Sequence, residues 1–465
     1  MKALTTVKES IQKKVIKSIV SGITDASDKN LLRLAGILEK ISPADYKGNI
    51  AAVKKMIKDK HPGMQLIRRI AKECHPNCKD KLIANLIVQG FLLNKKKKDK
   101  VQKEGSQTPT TVLISPTMRC NLRCIGCYAG KYSKKDDLPF DVFDRVVTEG
   151  KEMGVAFFTI LGGEPLVIKE DLFRIFKKHN DAYFQMYTNG TLLTDGVAKK
   201  LVELGNVLPT ISIEGWEVQT DYRRGKGTFR KIMRAMDILK KHRIPFGFSV
   251  AVTSKNAEIV NSDDFIDFLI EKGAFIGWFF LYMPMGMNPD LSLMPTPQQR
   301  KLLLERDKHI RATRPIFIID FWNDAPYVGG CIAGREYAHI TSKGDIEPCI
   351  FTHFASDNIK KTTLKEAMKS KYFKALRSKQ PYTDNLYLPC QWIDSPEVSR
   401  ELFETCNIYP THPGADSILV NAKLRKGLDK YSAEVKKVYK DIWKKDKKSF
   451  VCMHCSVGRK KASAE

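Results

Sequence analysis

The feature of this sequence that most restricts its fold is a regular alternation of short and long segments between residues 111 and 282. The short segments are apolar, β-branched or aromatic, as buried strands are, whereas the longer ones carry the apolar spacing of helices. Six strands are predicted, over residues 111–115, 156–161, 183–188, 209–213, 246–252 and 275–282. This order predicts a parallel sheet, either a partly closed barrel or an open doubly wound sheet, with ligands at the carboxyl ends of its strands.

Three further units are predicted around this region. Residues 1–105 are expected to form a basic helical unit, because apolar residues recur at helical spacing from Leu4 to Ile23 and again over 31–41. The alternating region then forms a core domain over 106–300. Beyond it the pattern becomes irregular and cysteine-containing, which predicts a small separate domain over 301–420, followed by a Lys-rich helical tail over 421–465.

The positive charge of the chain is concentrated at its two ends. Residues 1–110 carry 24 Lys and Arg against 10 Asp and Glu, and residues 421–465 carry 14 against 5, within a total net charge of +27. Such an excess predicts an anionic partner, either a membrane surface or a nucleic acid. No run of 18 apolar residues occurs, so the protein is expected to be soluble or peripheral rather than integral.

The cysteine content indicates a reducing environment. The chain has 11 cysteines, an odd number, scattered over its whole length, and its N-terminal region lacks the compact apolar segment of a secretory signal. A disulfide framework is therefore not expected, and reduced thiolates or metal ligands are favoured. We expect a cytoplasmic location, with the inner face of the membrane as the site of any peripheral attachment.

The strongest chemical signal is a cysteine motif directly after the first predicted strand, in which Cys120, Cys124 and Cys127 are separated by three and then two residues. Three thiolates at this spacing on a loop can converge on one soft metal centre. A structural zinc site would need a fourth protein ligand, and no histidine lies nearby. A cubane iron–sulfur cluster with one iron left free for a substrate or cofactor fits the three ligands better.

On these cysteines and their place after strand one, the sequence resembles the radical S-adenosylmethionine superfamily. The resemblance implies a (β/α)6 partial barrel in which the three cysteines act catalytically as holders of a 4Fe-4S cluster. It also implies that the free iron chelates S-adenosylmethionine, which is cleaved reductively to a 5′-deoxyadenosyl radical. The position before the last cysteine is often aromatic in this family but is Gly126 here, with Tyr128 just after it as the expected cofactor contact.

Residues at the ends of the following strands strengthen this resemblance. Paired glycines permit close backbone approach, a carboxylate can accept from an ammonium group, and an arginine can bind a carboxylate with both arms of its guanidinium. Each such residue is individually as compatible with a cap or turn, but they recur in order at successive strand ends. The cofactor contacts implied by the resemblance are Gly162, Gly163, Glu164, Thr188, Asn189, Ser212, Glu214, Arg224 and Thr253.

The cysteines of the predicted C-terminal domain resemble another element of the same superfamily. Cys331 is followed by Gly344 and, after four intervening residues, by Cys349, as in the auxiliary-cluster extensions called SPASM and twitch domains. The resemblance implies one auxiliary iron–sulfur cluster held by Cys331, Cys349 and Cys390, with Cys406 as a further candidate ligand. The alternative is that these are buried free thiols that act as small apolar side chains.

Two more cysteine pairs have spacings compatible with metal binding. They are Cys74 with Cys78 in the helical unit, and Cys452 with Cys455 in the Lys-rich tail. Nothing else in the sequence completes either pair, so unpaired thiols remain the alternative for both.

The predicted sixth strand leads into a segment that suggests a substrate. Met283, Met285 and Met287 follow it, and flexible thioethers there could line an apolar channel. Together with the basic ends, this predicts an acyl or isoprenoid chain of a membrane lipid as substrate, approached on an anionic leaflet. An unactivated C–H bond requires hydrogen-atom abstraction, and some resemblance to tetraether and membrane-spanning lipid synthases agrees with this expectation.

Two alternatives remain open at this point. One is a peptide-modifying enzyme, the commonest role of relatives with a SPASM-like extension. The other is a nucleic-acid-binding iron–sulfur protein, which is disfavoured because few aromatic residues interleave with the basic clusters. For the enzyme, the resemblance implies a reductant such as ferredoxin or flavodoxin as partner and an anaerobic setting.

Overall fold

The structure is a computed structural model that describes residues 27–41 and 44–450. The predicted amphipathic helix over 4–23 and the pair Cys452 and Cys455 lie outside this part of the chain. The described part of the N-terminal region consists of helices. They are α1 (Asp28–Ile41), α2 (Ala44–Lys58), α3 (Pro62–Glu73), α4 (Pro76–Lys81), a π-helix (Leu82–Leu93) and α5 (Lys95–Lys103).

The alternating region forms six parallel strands joined by helices. The strands are β1 (Thr111–Thr117), β2 (Phe157–Gly162), β3 (Tyr183–Thr188), β4 (Val207–Ser212), β5 (Phe246–Val252) and β6 (Ala274–Leu281). The helices are α6 (Phe140–Met153), α7 (Lys169–Lys178), α8 (Asp195–Leu204), α9 (Glu217–Arg224), α10 (Thr228–Lys241) and α11 (Asp263–Glu271). Short α9 was not predicted, whereas all six strands were.

The sheet extends beyond these six strands at both edges. After α12 (Pro297–Thr313), β7 (Phe317–Asp320) pairs in parallel with β6, and after α13 (Ala325–Val328), β8 (Tyr337–Ile340) pairs in parallel with β1. Strands β9 (Asp345–Glu347) and β11 (Asp357–Asn358) then continue the sheet antiparallel beyond β8, and β10 (Phe354–Ala355) pairs with β12 (Tyr409–Pro410). The mixed α/β fold with a parallel sheet is confirmed.

Side chains along each strand alternate between the helix-covered face of the sheet and its inner face. On β6, Phe279 is buried towards the helices, whereas Trp278 and Phe280 face the interior of the curved sheet. The helical side is closed by apolar residues that are almost wholly buried, such as Ile114 of β1 and Phe184 of β3. The main core therefore lies between sheet and helices, and the inner face of the sheet is left to line a cavity.

The C-terminal segment packs closely on the barrel. Helices α14 (Leu364–Ala367), α15 (Lys371–Ser378), α16 (Pro396–Thr405) and α17 (Ser417–Val420) precede the 25-residue helix α18 (Ala422–Asp446). Val435 and Tyr439 of α18 are buried in one cluster with Leu304 of α12 and Tyr387. Helix α18, predicted as a Lys-rich tail, therefore also contributes to an apolar core. In the described residues, no helix has the length and apolar character needed to cross a membrane.

The N-terminal helices dock on the outside of the barrel through polar contacts to backbone. Asn77 donates to the carbonyls of Val202 and Glu203 at 2.7 and 2.9 Å. Arg69 likewise donates to the carbonyl of Ala274 at 3.3 Å. Bonds to main-chain groups fix the orientation of this unit relative to the strands, in addition to apolar packing.

Candidate active site

The first cysteine motif lies on the loop that leaves β1, and the paired glycines hold that loop in place. The Gly163 amide donates to the Thr117 carbonyl at 2.9 Å, and the Glu164 amide donates to the Arg119 carbonyl at 2.8 Å. A Cβ atom at Gly163 would collide with the Arg119 carbonyl. The glycines are therefore required where β2 ends because the backbone of the cysteine loop passes directly against them.

The three cysteines of this loop face one cavity. Cys120 is exposed and Cys124 and Cys127 are half-buried, and all three line the same space. Burial raises the pKa of the Cys120 and Cys124 thiols, and Arg224 and Arg223 oppose this effect at Cys124. Soft thiols beside cationic guanidinium groups fit the ligand set of an anionic iron–sulfur centre. Among residues 27–41 and 44–450, no three Cys, His, Asp or Glu side chains are arranged to hold a single metal ion.

The glycine that departs from the family pattern has a structural explanation. Gly126 has a φ of +64°, and a Cβ atom there would collide with the ring of Tyr282. Tyr282 follows β6, is buried, and lines the cavity. An aromatic ring therefore does lie beside this position, but it comes from the end of β6 instead of from the cysteine motif.

Glu164, predicted as a cofactor contact, does not line the cavity. Its side chain is fully buried, and its oxygens accept from the Thr188 hydroxyl at 2.7 Å, the Asn189 amide at 2.7 Å and the Leu166 amide at 3.1 Å. Burial raises the pKa of this carboxyl, whereas these three donors lower it. The carboxylate thus ties the end of β2 to the end of β3, and all its partners are protein groups.

Glu214 and Thr253 are also turned away from the cavity. Glu214 is buried and accepts from Arg223 and Arg224, with the Ala251 amide as a further donor at 3.1 Å. The Thr253 hydroxyl donates to Asn256 at 3.0 Å. In the structure both residues support the strand ends instead of facing the ligand space, because neighbouring protein donors and acceptors already satisfy them.

The other predicted cofactor contacts do meet at one end of the cavity. Asn189 is positioned next to the cysteine loop, where its Nδ2 lies 2.9 Å from Asn121 Oδ1 and 3.9 Å from Cys120 Sγ. The predicted contacts that line the cavity are Tyr128, Gly162, Gly163, Thr188, Asn189, Ser212 and Arg224.

The cavity itself has a volume of about 1170 Å³ and is mostly apolar beyond this polar end. Aromatic side chains from neighbouring strands form a continuous wall, in which the Phe280 and Phe321 rings lie 4.8 Å apart and Trp278 and Phe280 are stacked at 6.3 Å. Of the predicted methionines, Met283 and Met287 line the cavity, whereas Met285 is buried elsewhere. A volume of this size can enclose a large apolar ligand.

The second group of cysteines borders the same cavity. Cys331, Cys349 and Cys390 line it, whereas Cys406 is buried and lies outside its lining. The Cys349 and Cys390 sulfurs accept from the amides of Phe351 and Trp392, each at 3.4 Å. Three of the four cysteines proposed as auxiliary ligands therefore line one cavity, and the fourth does not.

A buried polar network that sequence reasoning missed joins the segment after the first cysteine motif to the segment before Cys349. Glu347 accepts from Tyr132 at 2.6 Å and from Thr411 at 2.5 Å, and it is paired with His339 at 2.7 Å. His339 in turn contacts Ser115 of β1 at 2.6 Å. Tyr132 lies just past the first cysteine motif and Glu347 just before Cys349, but no sequence pattern relates residues so far apart.

The pair Cys74 and Cys78 is remote from this cavity. Both side chains are almost wholly buried, and burial raises the pKa of each thiol to about 12. Neutral buried thiols behave as small apolar side chains. The structure thus supports the alternative that these two cysteines pack in the core.

Comparison with known proteins supports this arrangement. The model of the radical SAM superfamily matches residues 114–266, and the model of the SPASM iron–sulfur cluster-binding domain matches residues 331–391. An uncharacterized protein of Methanocaldococcus jannaschii is 31% identical over 208 residues, which are 42% of this chain and 70% of that protein. The AdoMet-dependent heme synthase of Methanosarcina barkeri is 24% identical over 302 residues, covering 58% and 86% of the two chains.

A solved structure shows the same fold. The crystal structure of Streptococcus suis SuiB bound to precursor peptide SuiA has a TM-score of 0.51 and 18% sequence identity, over 61% of this chain and 70% of that chain. At this level of identity the likeness is one of fold.

Proposed function

Since the chain belongs to the radical SAM superfamily and carries a SPASM domain, we propose that this enzyme uses S-adenosylmethionine to remove a hydrogen atom from an unactivated C–H bond of a membrane lipid chain. The observation that supports the lipid substrate is the aromatic and aliphatic cavity that leads from the first cysteine loop to the second cysteine group. The family assignment identifies an enzyme, which removes the alternative of a nucleic-acid-binding protein without activity.

We propose that Cys120, Cys124 and Cys127 hold the 4Fe-4S cluster. When S-adenosylmethionine is bound beside it, the reduced cluster would supply the electron that cleaves the sulfonium to a 5′-deoxyadenosyl radical. The polar end of the cavity is suited to orient that cofactor, because Thr188, Asn189 and Ser212 offer hydrogen-bonding side chains there. Glu164 supports these groups from behind by fixing the ends of β2 and β3. Cys331, Cys349 and Cys390 are the proposed ligands of one auxiliary cluster.

The apolar part of the cavity is suited to a hydrocarbon chain. Trp278, Phe280 and Phe321 present aromatic surface instead of titratable groups, so they would exclude water from a reactive intermediate and bury an extended chain by the hydrophobic effect. Hydrogen-atom abstraction needs neither an acid nor a base at the reacting carbon. The apolar surface of these three rings therefore agrees with the proposed chemistry.

The location of the substrate is also part of the proposal. Lys96 and Lys97 of α5 and most lysines of α18 are exposed, so two basic helices can contact an anionic leaflet. We propose that the enzyme works in the cytoplasm at the inner face of the membrane. A ferredoxin or flavodoxin is the proposed electron donor.

A second candidate function is modification of a peptide. It is favoured by the SPASM domain over residues 331–391 and by the fold shared with SuiB, which was solved in complex with a precursor peptide. A peptide substrate would leave polar main-chain groups against the aromatic wall, where few partners are available to satisfy them.

Cofactor cleavage is tested by anaerobic reconstitution followed by addition of dithionite and S-adenosylmethionine. The wild-type protein should release 5′-deoxyadenosine, and Cys124→Ala should abolish this release and most of the iron at that site. Cys74→Ala is the matched control, because this thiol is buried away from the cavity. Retained cleavage in Cys124→Ala would contradict the assignment.

The substrate is tested by isotope transfer. Anionic vesicles of lipids with perdeuterated chains should transfer deuterium into 5′-deoxyadenosine, and Trp278→Ala should reduce this transfer more than cofactor cleavage. Transfer from a deuterated peptide pool, with none from the vesicles, would favour the second candidate and refute the first.

A further inference from the structure

A tyrosine hydroxyl contacts a sulfur of the second cysteine group. Tyr337 Oη lies 3.0 Å from Cys349 Sγ. A cysteine that ligates iron is a thiolate and has no proton to offer, so the tyrosine must be the donor. Cys349 therefore receives a side-chain hydrogen bond in addition to the one from the Phe351 amide.

The first cysteine group has different donors. Cys120 accepts from the Leu122 amide at 3.4 Å and from Asn189 Nδ2 at 3.9 Å. In the described part of the chain, no tyrosine hydroxyl is bonded to a sulfur of that group. The tyrosine donor is thus particular to the auxiliary site.

Tyr337 also links the auxiliary site to the aromatic wall of the cavity. It belongs to β8, lines the cavity, and its ring lies 6.2 Å from that of Phe321 in an edge-on contact. Its hydroxyl end reaches Cys349, which lines the same cavity.

We propose that Tyr337 is a positioning residue that raises the reduction potential of the auxiliary iron–sulfur cluster. Hydrogen bonds to cluster sulfurs stabilise the reduced form more than the oxidised form, because the sulfurs carry more negative charge after an electron is added. This inference rests on the proposed function in one respect, since it takes Cys331, Cys349 and Cys390 as the auxiliary ligands.

The test uses a background in which Cys120, Cys124 and Cys127 are replaced by Ala, so that only the auxiliary cluster remains. Tyr337→Phe is introduced into this background, and the midpoint potential is measured by a redox titration followed by electron paramagnetic resonance. The variant should lower the equilibrium constant for reduction about tenfold, equivalent to about 59 mV for one electron. Tyr372→Phe is the matched control, because Tyr372 is buried near Cys349 but, among the described residues, makes no hydrogen bond to a cysteine sulfur.

The outcomes separate this inference from the ligand assignment. A background protein without iron would refute the auxiliary ligands and the inference with them. Full iron content with an unchanged potential in Tyr337→Phe would overturn the inference alone. Should this variant fail to retain iron, the background protein itself decides by electron–nuclear double resonance. An exchangeable proton coupling that is lost in D2O supports the hydroxyl donor, and its absence overturns it.

Discussion

Glu164 offers a direct test of whether a buried carboxylate supports the cofactor site or contacts the ligand. Its carboxylate accepts three hydrogen bonds from Leu166, Thr188 and Asn189 and is completely shielded from solvent. Hydrogen bonds to a charged group contribute about 1.5–3 kcal/mol each. In Glu164→Gln one oxygen can still accept from Leu166 and Thr188, but the new amide faces the Asn189 N–H, and both groups are donors.

We therefore expect Glu164→Gln to lower the free energy of unfolding by about 2 kcal/mol, and Glu164→Ala, which removes all three acceptor contacts, by about 5 kcal/mol or more. Urea unfolding of the reduced apoprotein measures both. The control is Glu203→Gln, since Glu203 is an exposed residue paired with Lys200 and its replacement should leave stability unchanged.

The affinity for S-adenosylmethionine completes the test. If Glu164 only fixes the strand ends, Glu164→Gln should weaken binding moderately and in proportion to the loss of stability. An unchanged free energy of unfolding together with abolished binding would show that the carboxylate contacts the cofactor directly, and the interpretation from the hydrogen bonds would be refuted.

Three further predictions concern the rest of the molecule. Burial raises the pKa of Asp324 from 3.8 to about 6, so the folded state binds this proton more tightly than the unfolded state does. The free energy of unfolding should therefore fall by up to about 3 kcal/mol as the pH rises from about 4 to about 6. Asp324→Asn should remove this decline in urea titrations, and an unchanged slope would contradict the prediction. Arg300→Met should lower the free energy of unfolding by about 3–5 kcal/mol, because it leaves the fully buried Asp394, which lies 2.6 Å from Arg300, without its counter-charge. Recovery of stability in the double variant with Asp394→Asn would support this cause. Full stability of the single variant would exclude it. Cys74 and Cys78 should resist alkylation in the native protein at pH 8, because burial raises the pKa of both thiols. Their replacement by Ala should leave the iron content unchanged. A loss of iron would show instead that these cysteines are iron ligands.

The strands and the first cysteine loop were predictable because their signals are local. Each of the six strands is a short apolar run, and the spacing of Cys120, Cys124 and Cys127 lies within eight residues. Strands β7 and β8 were missed because each has only four residues, and such short runs in an irregular region do not differ from loops.

The direction in which a strand-end side chain points was harder to predict. A glutamate after two glycines can face a ligand or a neighbouring strand, and only the position of the Asn189 amide and the Thr188 hydroxyl decides this for Glu164. The same applies to Glu214, whose two arginine partners lie on the following helix. The contacts of Glu347 with Tyr132 and Thr411 join distant segments, so no periodicity could indicate them.

The parallel pairing of β8 with β1 has a consequence for engineering. Thr111 to Ile114 are in register with Tyr337 to Ile340, so the edge of the barrel is covered by a strand from the auxiliary region. A fragment that ended near residue 300 would leave this edge unpaired and open to association with other chains. Grafting a foreign auxiliary module onto this barrel would therefore require transplanting the covering strand, and a hybrid that joins the two parts only by a flexible tether is expected to aggregate.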